Sequence, residues 1–197
     1  MVALRRSIPT RMTVAEFHAW QPPEHPQRRW QLVDGEPVSM APASDNHGII
    51  QSRASYLLTG HLDAHRPACL VITAPGVVPR VRSMTNERIP DLGVTCSPAT
   101  GSQTVADPVV LIEILSPSNE DQTRANIWAY TTIPSVKEIL LLNSTSIGAE
   151  LWRRDQDGSW PSEPLPIGAS GVVELQSLGF AVPLIAFYLG TSLTARN

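Results

Sequence analysis

A run of seven residues in which one carboxylate interrupts apolar side chains constrains the fold of this chain more than any other feature. Residues 109–115 read Val-Val-Leu-Ile-Glu-Ile-Leu and are followed by the turn sequence Ser-Pro-Ser. A continuous apolar run bounded by turn residues predicts a strand that is buried on both faces. An ionised carboxylate is costly there unless it has a partner, a metal or a bound proton. Glu113 is therefore the first candidate for a functional residue.

A second carboxylate, Asp91, begins a short apolar segment upstream, directly after a proline. Two carboxylates about 4 Å apart repel each other by roughly 4 kcal/mol at an effective dielectric constant near 20. One of them then holds a proton, or a cation lies between them, and Mg²⁺ with its oxygen ligands suits that arrangement. The alternative is a structural ion pair between Glu113 and Arg80, Arg82 or Arg88. Residue types alone do not separate the two interpretations.

Length and composition predict one domain across residues 1–197. Hydrophobic residues make up 42% of the chain and charged residues 17%, as in ordinary globular proteins. No apolar stretch is long enough to span a membrane, and a signal peptide is not expected. Only Cys69 and Cys96 are present, and we expect both to be free core residues in a reducing compartment, hence a cytoplasmic protein. The net charge of −3 gives no general signal for nucleic-acid binding, so any phosphate contact must be local.

Turn and capping signals predict an α+β fold with a mixed β-sheet flanked by helices. Asp34-Gly35 joins an N-terminal hairpin, and Ser118 is the expected cap of the third helix. Strands 109–115 and 138–142, with a helix between them, are expected to lie parallel. The core order is helix, three or four strands, helix, strand, followed by extra C-terminal strands. Predicted helices are 13–20, 46–64 and 118–132, and predicted strands are 30–33, 36–40, 69–73, 77–81, 91–96, 109–115, 138–142, 149–153, one near 160, and 172–175.

These elements, in this order, resemble the PD-(D/E)XK nuclease superfamily. Within it, the chain is similar to a large bacterial family of restriction-endonuclease-like proteins, long described as a domain of unknown function. The resemblance extends over about residues 12–190 and rests on the order and spacing of short motifs rather than on any single one. The matching segments are 12–17, 32–36, 40–42 with His47, 89–92, 112–118 and Tyr130.

The resemblance implies a restriction-endonuclease-like core and an endonuclease that hydrolyses DNA phosphodiester bonds with Mg²⁺ or Mn²⁺. We also expect a homodimer. Asp91, Glu113 and the backbone carbonyl of Ile114 would hold the metal. Glu36 would add an acidic group, and His47 would position a water or a phosphate. A solvated hairpin carboxylate and a helix-capping histidine are the alternatives for these last two residues.

One element of the superfamily pattern is missing, namely the lysine two residues after the glutamate, where this chain has Leu115. In the similar family, a lysine on the following helix replaces it, at a position that is Asn126 here. We expect Asn126 to face Asp91 and Glu113. Loss of one such donor costs about two to four kcal/mol of transition-state stabilisation. The competing hypothesis is therefore a catalytically inactive binding or interaction module with a nuclease fold.

Basic and aromatic residues near these motifs give weaker predictions. Arg124 is close to the missing lysine, but its guanidinium stays protonated and cannot act as a base. Arg80 and Arg82 alternate on a predicted strand, so they share a face that could contact phosphates. Trp128 and Tyr130 are expected to pack in the core rather than to stack on bases.

Overall fold

A six-stranded mixed sheet forms the centre of the molecule. The computed structural model describes residues 11–22 and 28–194. The helices are α1 (Val14–Ala19), α2 (Asp45–His65) and α3 (Glu120–Thr131), with a short 3₁₀ helix at Leu184–Phe187. The strands are β1 (Trp30–Val33), β2 (Glu36–Ser39), β3 (Leu70–Thr73), β4 (Leu92–Thr95), β5 (Pro108–Leu115), β6 (Glu138–Asn143), β7 (Gly148–Arg153), β8 (Leu165–Gly168), β9 (Val172–Leu175) and β10 (Phe180–Pro183).

The strand order of the central sheet is β3-β4-β5-β6-β7-β8. β5 and β6 are parallel and joined through α3, whereas the other neighbouring pairs are antiparallel. β1 and β2 form a separate hairpin, and so do β9 and β10. The predicted α+β class with a mixed sheet, an N-terminal hairpin and additional C-terminal strands is confirmed.

Strand β5 is covered on both faces, as its apolar sequence predicts. Val110, Ile112 and Ile114 pack into the core that includes the apolar stripe of α2. Leu111 and Leu115 pack into the core beneath α3. Because side chains alternate along a strand, Glu113 points to the same face as these two leucines, toward α3. The register of β5 therefore aims the one carboxylate of the strand at a helix.

Three local predictions were wrong. Residues 77–81 do not form a strand: Val77 makes one isolated bridge to Arg88, and Arg82 has a φ of 48° in the loop that follows. Arg80 and Arg82 therefore share no strand face, and Arg82 pairs with Asp34 instead. The strand expected near residue 160 lies at β8. The N-cap of α3 is Asn119 rather than Ser118, and it makes no side-chain capping bond.

The prediction of two free cysteines was also wrong, because Cys69 and Cys96 form a disulfide. Leu70 lies opposite Thr95 in the antiparallel pair β3–β4, so the two cysteines are the next facing pair. The facing positions of the two cysteines are not evident from the sequence, because they are 27 residues apart and a long loop connects β3 to β4. The cysteines therefore give no support to the predicted reducing compartment. Within the described part of the chain, no helix has the length and apolar character needed to cross a membrane.

Candidate active site

A cavity of about 560 Å³ opens beside the N-terminal ends of α2 and α3. Asp91 and Glu113 line it and are only 7% and 4% exposed. Asp91 precedes β4, and Glu113 lies in the neighbouring strand β5. The rest of the lining is mostly polar and comes from the hairpin, the segment after it and both helices. It includes Arg28, Arg29, Gln31, His47, Gln51, Ser116, Ser118, Asn119, Gln122 and Asn126.

Glu113 is held from the side of α3. The hydroxyl of Tyr130 donates to Glu113 Oε1 over 2.7 Å, and Asn126 Nδ2 donates to the same oxygen over 3.3 Å. Burial, followed by the negative charge of Asp91, raises the pKa of Glu113 to about 8, although both hydrogen bonds oppose that shift. Burial and the neighbouring Glu113 also raise the pKa of the Tyr130 hydroxyl well above its usual value. Tyr130 is therefore a neutral donor at physiological pH.

Asp91 is held by groups from two other elements. The backbone N–H of Ile114 donates to Asp91 Oδ2 over 2.7 Å, and His47 Nε2 lies 3.2 Å from the same oxygen. Gln51 Nε2 donates to the backbone carbonyl of Asp91 over 2.8 Å. Strand β5 and helix α2 thus fix both the side chain and the main chain of this residue.

The ion-pair alternative for Glu113 is not supported by these contacts. Within residues 11–22 and 28–194, no arginine lies within salt-bridge distance of Glu113. Arg88 instead donates to the backbone carbonyl of Leu32 over 2.9 Å. Burial lowers the pKa of the Arg88 guanidinium. The described side chains that donate to Glu113 are neutral, and no cationic side chain pairs with it in this part of the chain.

Asn126 lies where the missing lysine was expected to act. It is 5% exposed, lines the cavity and bridges Glu113 to Gln31 Oε1, which it contacts over 3.3 Å. Arg124 points elsewhere and forms a two-pronged contact with Glu150 over 3.0 and 3.1 Å. Tyr130 is fully buried as predicted, whereas Trp128 is 63% exposed and the prediction that it packs in the core was wrong.

Two other predicted site residues have different surroundings from those expected. Glu36 is exposed at the start of β2 and does not line the cavity, because the hairpin carries it away from Asp91 and Glu113. The carbonyl of Ile114, the expected metal ligand, accepts a hydrogen bond from Asn119 Nδ2 over 3.3 Å. Ile114 supports the site through its N–H. The geometry around Ile114 thus gives its amide a defined role, while its carbonyl keeps one further lone pair.

Sequence analysis did not identify the glutamines of the cavity. Gln31 lies in β1 and is 1% exposed, and Gln51 and Gln122 come from α2 and α3. Carboxamides carry no charge and belong to no short motif, so the patterns used for acidic residues do not single them out. One signal was available for Gln31, since it is the one polar residue in the segment Trp-Gln-Leu-Val.

The donor set fits a hard divalent cation. Asp91 Oδ1 accepts no hydrogen bond from the described residues, and both side-chain bonds to Glu113 fall on Oε1. One oxygen of each carboxylate is thus not taken by a side-chain donor in this part of the chain. No group of three or more His, Cys, Asp or Glu residues suited to a metal occurs there. Mg²⁺ typically uses one or two carboxylates and completes its shell with water, so two carboxylates are sufficient.

Comparison with known proteins gives the same picture of the fold. Residues 14–184 match the sequence profile of the Uma2 family, which carries the description "putative restriction endonuclease". The chain belongs to this family. An uncharacterized protein from Synechocystis sp. is 30% identical over 194 residues, which cover 96% of this chain and 98% of that protein.

A solved structure extends the comparison to three dimensions. It is the crystal structure of a protein from Anabaena variabilis described as a putative nuclease belonging to DUF820. The TM-score is 0.69, and the alignment covers 90% of this chain and 97% of that one at 16% sequence identity. At this low identity the likeness concerns the fold, and it confirms the nuclease-like architecture expected from the sequence motifs.

Proposed function

We propose that this Uma2 family member is a weak, metal-dependent endonuclease that hydrolyses phosphodiester bonds in DNA. The observation that carries the proposal is the pair of buried carboxylates, Asp91 and Glu113, which meet at one polar cavity. Such a pair is costly without a bound proton or cation. Family membership supports a nuclease, and the oxygen-rich donor set supports Mg²⁺ or Mn²⁺ as the cofactor.

Each residue of the site has a proposed role. Asp91 and Glu113 hold the metal, with the carbonyl of Ile114 as a third donor. When bound, the metal supplies a Lewis acid for the scissile phosphate and lowers the pKa of a bound water. The Ile114 N–H and His47 keep the Asp91 carboxylate in one orientation. Asn126 orients Glu113 but contributes no positive charge.

The absence of that charge is the reason to expect weak activity. Arg28 and Arg29 line the cavity and are exposed, so they are the arginines we propose to contact DNA phosphates. The lack of a lysine at positions 115 and 126 also favours the second candidate function, a non-catalytic interaction module. In either case the expected homodimer remains a prediction.

The test is cleavage of supercoiled plasmid by the purified protein. With Mn²⁺ we expect slow nicking that EDTA or Asp91→Asn abolishes. Asn126→Lys is expected to raise the rate by roughly tenfold or more, because a lysine would supply part of the missing stabilisation. Asp63→Asn, on the exposed side of α2, is the matched control and should cleave like the wild type. Glu36→Gln should also be neutral, since Glu36 is outside the cavity.

Two outcomes would contradict the proposal. Nicking that persists at an equal rate in the Asp91 and Glu113 double variant would come from a contaminant. The second outcome is an absence of both cleavage and Mn²⁺ binding, measured by calorimetry or by a shift in melting temperature. In that case the interaction module would be the better description.

A further inference from the structure

Unpaired polar atoms are concentrated around the cavity of Asp91 and Glu113. Seven buried side-chain nitrogens have no hydrogen-bond partner among the described residues. Three of them line this cavity, namely Gln31 Nε2, His47 Nδ1 and Gln122 Nε2. The other four belong to tryptophan and arginine side chains outside it. Because native proteins leave few buried polar groups unpaired, such a concentration indicates where a ligand supplies the missing partners.

The orientation of the Gln31 carboxamide is fixed by its surroundings. Its Oε1 accepts hydrogen bonds from Asn126 Nδ2 over 3.3 Å and from the backbone N–H of Ile89 over 3.4 Å. Both lone pairs of the oxygen are thereby used. The Nε2 group, with two N–H donors, has no acceptor in the described part of the chain, and the side chain is 1% exposed. A buried donor pair of this kind needs an acceptor from outside the described residues.

Gln122 presents the same chemistry from helix α3. It lies one helical turn before Asn126 on α3, so the two side chains share a face of the helix. Its Nε2 is also unpaired, and its oxygen accepts no hydrogen bond from the described residues. The cavity therefore offers carboxamide donors from β1 and α3 beside two carboxylates that suit a cation.

A ligand rich in acceptor oxygens satisfies the two carboxamide donors of this arrangement. A phosphodiester placed at a cation on Asp91 and Glu113 has two non-bridging oxygens that are strong acceptors. Asn126 connects Gln31 directly to Glu113, so the donors of Gln31 lie beside the carboxylates rather than at a distant subsite.

We propose that Gln31 and Gln122 bind the non-bridging phosphate oxygens of the substrate through their side-chain N–H groups. This assignment rests on the proposed nuclease function and names the residues that take over phosphate binding where a lysine is absent. Neutral donors bind an oxyanion without attracting it over long distances. Gln31 and Gln122 thus orient the phosphate, while the exposed arginines increase its local concentration.

The experiment follows the glutamine side-chain NH₂ signals of ¹⁵N-labelled full-length protein by NMR. The probe is a 5′-phosphorylated thymidine dinucleotide, added at millimolar concentration in the presence of Ca²⁺. Signals are assigned by their loss in Gln31→Met and Gln122→Met. We expect the Gln31 and Gln122 signals to shift saturably. Gln176 is the internal control, because it is exposed and lies outside the cavity, so its signal should not follow the titration.

Affinities of the variants complete the test. Gln122→Met should weaken dinucleotide binding by roughly tenfold, the value of one hydrogen bond to a charged group, and leave Mn²⁺ affinity within about twofold. Gln31→Met removes the acceptor of the Ile89 N–H and one of the two acceptors of Asn126 Nδ2, so a second variant is needed if it does not fold. Gln31→Glu keeps that acceptor and removes the donors, and it should bind the dinucleotide at least as weakly.

The outcomes separate this assignment from the nuclease proposal. Shifts at Gln31 and Gln122 without cleavage under any condition would support the assignment and count against the nuclease. Metal-dependent cleavage with an unshifted Gln31 signal would support the nuclease and overturn the assignment of Gln31. The assignment is also overturned if no cavity signal shifts at all, or if Gln31→Glu binds the dinucleotide more tightly than the wild type.

Discussion

At the residue scale, the protonation of Glu113 is the property with the widest consequences. Burial and the charge of Asp91 raise its pKa from 4.5 to about 8. Below pH 4.5 the carboxyl group is protonated in both the folded and the unfolded chain and has no effect on stability. Between these two values only the unfolded chain releases the proton, so the free energy of unfolding falls as pH rises. Above about pH 8 the carboxyl group is ionised in both states, and the free energy of unfolding falls no further on its account.

The fall in the free energy of unfolding with rising pH leads to a prediction for Glu113→Gln. In EDTA, Glu113→Gln should remove the fall in stability between about pH 5 and pH 8. At pH 8 the variant should be more stable than the wild type by at least about 1 kcal/mol, the equivalent of one pKa unit. Urea denaturation across this pH range measures the effect. A large loss of stability in the variant at every pH would instead identify Glu113 as one partner of a structural ion pair.

At the element scale, two buried strand glutamates have different uses. Glu113 lies inside the apolar run of β5, whereas Glu138 is the first residue of β6, before its apolar run, and lines no part of the cavity. It accepts hydrogen bonds from Arg153 Nε over 2.8 Å and from the backbone N–H groups of Gln176 and Ser177, each over 3.0 Å. This carboxylate ties the β9–β10 hairpin to the central sheet. Glu138 is thus a structural residue with the cationic partner Arg153, whereas Glu113 has no such partner among the described residues.

The anchor can be tested by Glu138→Gln. The substitution removes the charge that pairs with Arg153 and replaces one acceptor oxygen by a donor facing backbone N–H groups. We expect the free energy of unfolding to fall by about 2–3 kcal/mol, because the lost hydrogen bonds are charge-assisted and buried. The control is Glu174→Gln on the exposed face of β9, which should change stability by less than about 0.5 kcal/mol. Equal effects of both variants would contradict the anchoring role.

The elements predictable from sequence are those with a long apolar pattern. Strands β5 and β6 and helix α2 were predicted within two residues at each end, because burial dictates their composition. Residues 77–81 are rich in valine but contain Pro79 and Arg80, and they fail to form a strand, since only Val77 finds a backbone partner. Strand β10 was not predicted, although the turn before it contains Gly179 at a φ of 67°.

The candidate site was predictable where charge marked it. Asp91 and Glu113 were identified because buried carboxylates are rare and costly. Gln31 and Gln122 were not, since their importance depends on which neighbours already use their hydrogen-bonding atoms. That information exists only after β1 and α3 have packed against the sheet. For the same reason, the contact between His47 and Asp91 could not be derived from sequence spacing.

At the scale of the whole molecule, a net charge of −3 opposes the binding of DNA. Attraction must then come from local groups, and the cavity rim offers Arg28 and Arg29. Exposed arginines that neutralise phosphates release counterions, so their contribution appears in the salt dependence of binding.

Removal of both rim arginines should therefore change that dependence. For Arg28→Ala with Arg29→Ala, the slope of log K against log salt concentration should decrease in magnitude by about two, roughly one for each phosphate contact. The matched control is Arg66→Ala with Arg80→Ala, which removes the same charge from exposed positions away from this cavity. Fluorescence anisotropy with a labelled oligonucleotide in Ca²⁺ measures both. An equal change in the two double variants would show that total charge, not the rim, controls binding.

The disulfide between Cys69 and Cys96 closes a loop of the chain, and the residues of the candidate site lie before, within and after this loop. Gln31 and His47 precede the closed loop, Asp91 lies within it, and Glu113 and Asn126 follow it. A single backbone break in the exposed segment around residues 80–85 would separate β1 and α2, which carry Gln31 and His47, from both carboxylates and from α3, which carries Gln122 and Asn126. With the disulfide intact, the two pieces remain one molecule. The disulfide thus gives the site a second covalent connection, which a cut in this segment leaves in place and reduction removes.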